Sequence, residues 1–369
     1  MSDDTGDLAN ARIQIDAIDS ELQRLIGQRA RIAEQVRDIK ARSYAGAALD
    51  HYRPAREAEV LRRVIARNKE IGSPLPDEAM VRVWREIMSA CLALESPLQV
   101  AFLGPEGTYT QAAVYKHFGH QVGARAVNGI DEIFRDVESG VAAYGVVPIE
   151  NSTEGVVTST LDLLANTPLS ICGEVWLPVH HQLLSRHERM DQVEVIYSHP
   201  QSFAQCRHWL DVRLPGVPRE PASSNGAAAK RVAEAGQGAA IASAAAGELY
   251  GLHVLAANVE DDPNNTTRFL IIGRQNPEPT GADRTSVVCS APSGGEAGAL
   301  FRLLEPFARA GINLSKIESR PSRRGIWDYN FFLDLEGHRA DAMVAKALEE
   351  VRTRSAFFRI IGSYPRAVV

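Results

Sequence analysis

A long apolar stripe at the start of the chain restricts its fold more than any other feature. From Leu8 to about Arg42 there is no proline and only one glycine. Apolar residues recur there at spacings of three and four, with one gap at position 29: Ile15, Ile18, Leu22, Leu25, Ile32, Val36 and Ile39. The pattern predicts one helix ~50 Å long at 1.5 Å per residue. A helix of that length needs a packing partner along it.

Two shorter helices are predicted to pack against it, over 53–68 and about 77–95. Pro54 stands at a plausible first helical position of the earlier one. Pro97 follows the later helix and marks a boundary. We therefore expect residues 1–96 to form an all-α helical domain.

Charged residues interrupt the inward faces of all three predicted helices. Arg29 fills the gap in the first stripe, Glu57 extends the stripe of the second helix, and Glu95 extends that of the third. Lys40 lies about three turns from Arg29 and so shares its face. Any one of them alone could be a snorkelling residue or half of a buried ion pair. Together they predict a polar pocket for a small anion inside the bundle.

Arg12 cannot reach this pocket from its own helix. At 1.5 Å per residue it lies ~25 Å from Arg29 and ~42 Å from Lys40. An antiparallel second copy could supply it, so we expect a homodimer at least, with sites shared between subunits.

The rest of the chain changes pattern twice. Residues 98–273 alternate Val/Ile-rich strands with Ala-rich helices, and 284–366 read β-α-β-β-α-β, as in a ferredoxin-like α+β unit. A Pro- and Gly-containing linker, 274–284, separates them. We expect an α/β domain over 97–275 and a third domain over 284–369.

Composition excludes several kinds of partner. The net charge is −6, and the charges are mixed along the chain, so no nucleic acid is expected. No apolar run approaches ~18 residues, so no membrane contact is expected. The polar start "MSDDTGDLAN" and four scattered cysteines indicate a cytoplasmic protein with free thiols. No metal spacing appears, His180–His181 has a structural interpretation, and we expect no cofactor.

The helical segment resembles the all-helical chorismate mutases, through the order Arg12, Arg29, Lys40, Arg56–Glu57. The resemblance implies that Arg12 of the other subunit and Arg29 bind the substrate carboxylates, Lys40 faces the ether oxygen and Glu57 binds the ring hydroxyl. Arg56 and Cys91 are further substrate-binding positions. Some family members have Asp at Arg53, Ser at Cys91 and Gln at Glu95. Since an ionised carboxylate cannot donate a hydrogen bond, Glu95 must be protonated to act like that Gln.

Four polar clusters that follow strands of the α/β segment could each be simple helix caps or loops. Together, "FLGPEGTYT" (102–110), "VPIENS" (147–152), "SHPQ" (198–201) and "TRF" (267–269) resemble prephenate dehydratase. This implies two lobes like those of periplasmic ligand-binding proteins, with crossings near 178–182 and 257–267. It also implies that Thr267 positions the leaving hydroxyl and Arg268 binds a carboxylate. Further candidates are Glu150, Asn151, Ser152, Ser198 and Gln201.

The third segment resembles the ACT regulatory domain. The resemblance is carried by "GAL" (Gly298, Ala299, Leu300) and "ESRP" (Glu318, Ser319, Arg320, Pro321). It implies that phenylalanine binds at a subunit interface and inhibits the dehydratase. Glu318 and Arg320 could instead be only a strand-edge pair.

The combined hypothesis is a bifunctional enzyme that rearranges chorismate to prephenate and then converts prephenate to phenylpyruvate. A fusion to prephenate dehydrogenase is rejected, because "GQGAAIA" (236–242) lacks the third Gly of a dinucleotide fingerprint. A preference for arogenate stays open. A two-lobed ligand-binding regulator without catalysis is the alternative from another class of protein.

Overall fold

The computed structural model describes residues 3–43, 52–292, 297–322 and 328–368. Within these ranges, no helix combines the length and the apolar character needed to cross a bilayer.

Three helices form the N-terminal domain, as predicted. They are α1 (Asp3–Ser43), α2 (Pro54–Glu70) and α3 (Asp77–Glu95). Only the second half of α1 packs against α3. Residues 7–26 of α1 are exposed throughout, and they include large apolar side chains such as Ile13, Ile18 and Leu22, each more than half exposed. This half of α1 therefore has an apolar face that the described chain leaves uncovered.

A two-lobed α/β domain follows. Its elements are β1 (Gln99–Leu103), α4 (Tyr109–Phe118), β2 (Gly123–Val127), α5 (Ile130–Ser139), β3 (Tyr144–Asn151), β4 (Gly155–Val156), α6 (Thr158–Leu164), β5 (Ser170–Pro178), β6 (Gln182–Ser185), β7 (Ile196–Ser198), α7 (Pro200–Gln205), α8 (Arg207–Arg213), β8 (Arg219–Pro221), α9 (Asn225–Ala235), β9 (Ala239–Ala242), α10 (Ala244–Tyr250), β10 (His253–Ala256) and β11 (Thr266–Gly273). Lobe 1 has the strand order β2-β1-β3-β11-β5, with β4 on β3, and lobe 2 has β10-β6-β9-β7-β8.

The chain crosses between the lobes where the sequence predicted, after β5 and again before β11. His181 stands at the first crossing, is 1% exposed, and hydrogen-bonds Tyr109 of lobe 1 and Gln205 of lobe 2. The neighbouring His180 pairs with Glu260 near the second crossing. The two histidines therefore have the structural role expected for them.

The C-terminal domain has the predicted order β12 (Asp283–Ser290), α11 (Ala299–Arg309), β13 (Leu314–Pro321), β14 (Tyr329–Glu336), α12 (Ala342–Arg354) and β15 (Phe357–Pro365). The sheet order is β13-β14-β12-β15, with antiparallel neighbours, which is the ferredoxin-like arrangement. Strand β13, which carries "ESRP", lies at the edge of the sheet.

The three domains share buried surfaces. Val288, Phe332 and Ile361 of the C-terminal sheet belong to one apolar core with lobe 1 residues such as Ile171 and Leu270. Tyr52, just before α2, is 4% exposed and packs in a second core, formed by lobe 1 residues such as Phe102 and Val146. All four cysteines are buried, and each is a thiol rather than half of a disulfide.

Gly362 tests the contact between β15 and β5. A Cβ at this position would lie 2.4 Å from the carbonyl oxygen of Ile171 and 2.8 Å from its nitrogen, both of them backbone atoms. We expect Gly362→Ala to lower the free energy of unfolding by about 1–3 kcal/mol through overpacking. Denaturant unfolding would measure it.

Gly129→Ala is the control for Gly362→Ala. Its Cβ would meet only the exposed carboxylate of Asp131, which can move away, and its φ of −142° suits alanine. Equal stabilities of the two variants would contradict the close packing of β15 on β5.

Candidate functional sites

A polar cavity of about 450 Å³ opens between the three N-terminal helices and α4. Its lining includes all four inward charged residues predicted from the sequence: Arg29, Lys40, Glu57 and Glu95. Arg53, Arg56 and Cys91 also line it. Arg12 lies on the exposed half of α1, so the described chain does not bring it to this helical cavity. The volume suits a small anionic metabolite.

Two ion pairs organise the helical cavity. Lys40 Nζ lies 2.9 Å from Glu95 Oε2, with both side chains less than one-fifth exposed. Arg85 Nε lies 3.7 Å from Glu57 Oε1. Burial raises the pKa of Glu57 to about 7, although the Arg85 charge and hydrogen bonding from Tyr52 and Arg85 act in the opposite direction. The cavity therefore holds a carboxyl group that titrates near neutral pH.

Thr267 has an ordered hydroxyl at the start of β11. Asn151 Nδ2 donates to Thr267 Oγ1 at 2.8 Å, across the register pair of β3 and β11. The orientation of the Asn151 amide is fixed, because its Oδ1 accepts from the backbone N–H groups of Thr153 and Glu154. Among the described residues, Thr267 Oγ1 accepts this one bond and donates none, so its proton is available for donation.

Asn265 belongs to the same group, although it was not among the residues predicted from the sequence. It is 2% exposed, and its Oδ1 accepts from Asn151 Nδ2 at 2.7 Å. Its Nδ2 donor has no partner among the described residues. The only sequence signal was the polar cluster "NNTTRF", which is also typical of a loop.

Arg268 occupies a different position from the one expected of a carboxylate ligand. Its side chain is 2% exposed, and it binds Asp334 at 2.6 Å, Glu174 at 2.8 Å and Glu150 at 3.0 Å. It also donates to Tyr364 Oη at 3.0 Å. Since successive side chains of a strand point to opposite faces, Thr267 and Arg268 serve different sides of β11. The guanidinium is already fully engaged in an ion cluster.

This cluster, termed the Arg268 cluster, joins lobe 1 to the C-terminal domain. Arg284 also binds Glu174, and Lys316 Nζ lies 2.6 Å from Glu150 Oε2. Burial alone would raise the pKa of Glu150, but Lys316 and Arg268 outweigh burial and lower it. The cluster contains Arg268, Arg284 and Lys316 against Glu150, Glu174 and Asp334. Glu150 therefore has a structural partner on each side rather than a free carboxylate.

The other predicted dehydratase residues differ in burial, from fully buried to exposed. Ser198 is fully buried, and its hydroxyl donates inside lobe 2 to Asn225 and to the carbonyl of Ile241, so its geometry is structural. Ser152 is exposed, and its Oγ accepts from the backbone N–H of Thr266. Gln201 lies half-buried in the first turn of α7.

The predicted effector residues lie on two elements of the C-terminal domain. Gly298 has φ 77° and precedes α11, which begins with Ala299 and Leu300. Glu318, Ser319, Arg320 and Pro321 lie on the edge strand β13. Arg320 forms a bidentate pair with Asp162 of α6, at 3.0–3.2 Å, instead of a pair with Glu318. This arrangement gives β13 a second contact with lobe 1.

Comparison with known protein families assigns each domain. Residues 11–96 match chorismate mutase type II, 100–277 match prephenate dehydratase and 293–353 match the ACT domain. A solved prephenate dehydratase from Arthrobacter aurescens, in complex with L-Phe, is 37% identical with a TM-score of 0.68, covering 73% of this chain and 90% of that one.

Curated relatives extend over nearly the whole chain. The bifunctional chorismate mutase/prephenate dehydratase of Stutzerimonas stutzeri is 49% identical over 360 residues, which cover 97% of each chain. That of Pseudomonas aeruginosa is 48% identical over 368 residues, covering 99% of this chain and 100% of the relative. The chain therefore belongs to the family of bifunctional chorismate mutase/prephenate dehydratases and has both catalytic domains followed by an ACT domain.

Proposed function

We propose that the helical cavity is the chorismate mutase site and that Thr267 marks the prephenate dehydratase site. The observation that carries the proposal is the convergence of Arg29, Lys40, Glu57 and Glu95 in one cavity of about 450 Å³. We further propose the domain division 1–96, 97–275 and 284–369, a cytoplasmic location, and prephenate rather than arogenate as the dehydratase substrate.

The mutase reaction requires a shaped, charged pocket and no nucleophile. Chorismate has two carboxylates, which Arg29 and a second Arg bind through planar, bidentate contacts. Lys40, which Glu95 holds by an ion pair at 2.9 Å, faces the ether oxygen, where negative charge develops in the transition state. Glu57 accepts the hydrogen bond of the ring hydroxyl. The enzyme thereby holds the compact conformer that rearranges.

The dehydratase reaction expels hydroxide and CO₂ from prephenate as the ring becomes aromatic. Thr267 donates its free proton to the leaving oxygen in a hydrogen bond, while Asn151 holds the hydroxyl in place. Asn265 Nδ2 provides a second donor beside it. Ser152 and Gln201 are further binding candidates, whereas Glu150, Ser198 and Arg268 support the site from structural positions.

A homodimer accounts for the uncovered half of α1. Residues 7–26 expose Ile13, Ile18 and Leu22 together with Arg12. An antiparallel copy of α1 would bury this apolar face and deliver Arg12 to the partner's helical cavity. The dimer thus supplies the second carboxylate ligand.

Phenylalanine is the proposed effector. The related A. aurescens structure contains L-Phe, and this chain has the corresponding ACT domain. Glu318 provides an acceptor for the ammonium group, and the backbone near Gly298 provides donors for the carboxylate. Strand β13 also contacts lobe 1 through Lys316 and Arg320, so binding there can bias the dehydratase site.

Phenylpyruvate release from chorismate tests the whole proposal. Wild-type protein should release it, and phenylalanine should reduce the release. Arg29→Ala should abolish release from chorismate but retain release from added prephenate. Thr267→Ala should instead accumulate prephenate, with a dehydratase loss of at least ~100-fold, the scale of a lost acid or oxyanion donor.

Thr267→Ser is the matched control, because it keeps the hydroxyl, and it should retain much of the dehydratase activity. Normal phenylpyruvate release by Thr267→Ala would show that the dehydratase site lies elsewhere. Release that phenylalanine does not affect would remove the proposed effector.

The mutase should lose activity as the pH falls below neutral. Glu57 has a raised pKa of about 7, so its carboxylate is lost as pH falls through that value, and kcat/KM should fall with it. Glu57→Gln should remove this acid limb, whereas Glu95→Gln should keep it. An acid limb that persists in Glu57→Gln would contradict the role of Glu57.

Coexpression of Arg12→Ala with Arg29→Ala tests the shared site. Each variant alone should lack mutase activity. A mixed dimer has one intact site, formed by Arg29 of one subunit and Arg12 of the other. Random mixing should therefore restore about a quarter of wild-type mutase activity. No recovery in dimers shown to be mixed would mean that Arg12 does not act across subunits.

A further inference from the structure

We propose that the dehydratase domain completes the mutase site: Phe118 of α4 walls the helical cavity together with Tyr52, and His117 of α4, acting through Tyr52, positions Glu57. This inference rests on the proposed role of Glu57 as the ligand of the ring hydroxyl. It assigns mutase positioning residues outside the mutase domain.

Aromatic side chains from both domains form one wall of the helical cavity. Phe118, the last residue of α4, lines the helical cavity together with Tyr52. Both side chains are less than 5% exposed, and their rings pack with centroids 5.1 Å apart. Tyr52 also packs edge-on against Tyr144 of β3, at 5.3 Å. A ring from the mutase segment is thus anchored in the core of lobe 1.

A polar chain leads from His117 of α4 through Tyr52 towards Glu57. Tyr52 Oη lies 3.0 Å from His117 Nε2, and Tyr52 and Glu57 line the same two cavities. Hydrogen bonding from Tyr52 is one of the effects that lower the pKa of Glu57. The phenol has one proton, so a Tyr52 hydroxyl that donates to Glu57 accepts its other bond from His117 Nε2–H.

His117 is suited to this role because it stays neutral. Burial lowers its pKa to about 3, with a smaller contribution from the Arg85 charge. It therefore keeps a single N–H over the pH range in which Glu57 titrates, and its own charge does not change there. A change in the mutase pH profile then reports Glu57.

Helix α4 holds the second partner of Glu57 as well. Arg85 is 8% exposed and donates through Nη1 to the carbonyl oxygen of Lys116 at 2.5 Å. That carbonyl lies in the last turn of α4, where carbonyl groups lack helical partners and attract cations. Three consecutive residues of α4 thus contact the Glu57 environment: Lys116, His117 and Phe118.

Several other charged groups line the two cavities around Glu57 and contribute to its titration. On the mutase side these are Arg29, Lys40, Arg53, Arg56 and Glu95, and on the other side they are Glu174 and Arg366. None of them changes in His117 or Tyr52 variants, so the comparison isolates the polar chain.

The test measures mutase kcat/KM against pH in the full-length protein. His117→Phe keeps an aromatic ring and removes the hydrogen bond. We expect the acid limb to move to higher pH by about half a unit. Without the hydrogen bond from His117, Tyr52 stabilises the Glu57 carboxylate less, and the pKa of Glu57 rises. Near pH 6, a shift of half a pH unit corresponds to a fall in kcat/KM of about threefold. Tyr52→Phe should move the limb in the same direction, and His117→Gln, which retains an N–H donor, should restore it.

Two controls separate the causes. His120→Ala removes another contact across the same boundary, between His120 and Glu86 at 2.8 Å, without touching Glu57, and should leave the acid limb unmoved. Dehydratase activity on added prephenate should stay unchanged in every variant. If His120→Ala moved the acid limb by the same amount, any weakened contact between the two domains would explain the shift, and the inference would be overturned.

Different results would contradict the proposed role of Glu57 and its positioning by α4. An acid limb that persists in Glu57→Gln would refute the role of Glu57 itself. A limb that disappears in Glu57→Gln but does not move in His117→Phe and Tyr52→Phe would refute only the positioning by α4.

Discussion

The Arg268 cluster is the interaction on which the joined architecture of this enzyme depends. It places three basic and three acidic side chains between lobe 1 and the C-terminal sheet. Ions removed from water cost several kcal/mol each unless partners compensate them, so a partly assembled cluster would be unfavourable. The dehydratase strands and the ACT sheet must therefore dock together. Thr267 and Asn151 lie one residue from the cluster on their strands, which ties the order of the Thr267 hydroxyl to this docking.

Much of this organisation could be predicted from the sequence. The heptad stripe located α1, and inward charged residues located the helical cavity, because helical periodicity converts spacing directly into position. Four short motifs identified the dehydratase strands and their loops. The resemblance to known families supplied the substrates, which periodicity alone cannot give. The family comparisons confirm that identification.

Other features depend on contacts between distant residues and could not be predicted from local pattern. Alternation along β11 could have placed Arg268 on the face opposite Thr267, but nothing local named Asp334 and Tyr364 as its partners. The motif that contains Ser198 predicted a substrate-binding side chain, but the Ser198 hydroxyl is buried inside lobe 2. Tyr52 and His117 are 65 residues apart, and only the packed domains bring them together.

The position of Tyr52 has a consequence for dividing the chain. A boundary drawn at Pro97 follows composition, but Tyr52 fills part of the lobe 1 core from the other side of that boundary. A fragment starting at residue 97 would lack that ring and leave a hole beside Phe102 and Tyr144. A protein engineer who wants the dehydratase and ACT domains alone would need to fill this hole with a larger side chain, or keep the segment from Tyr52 onward.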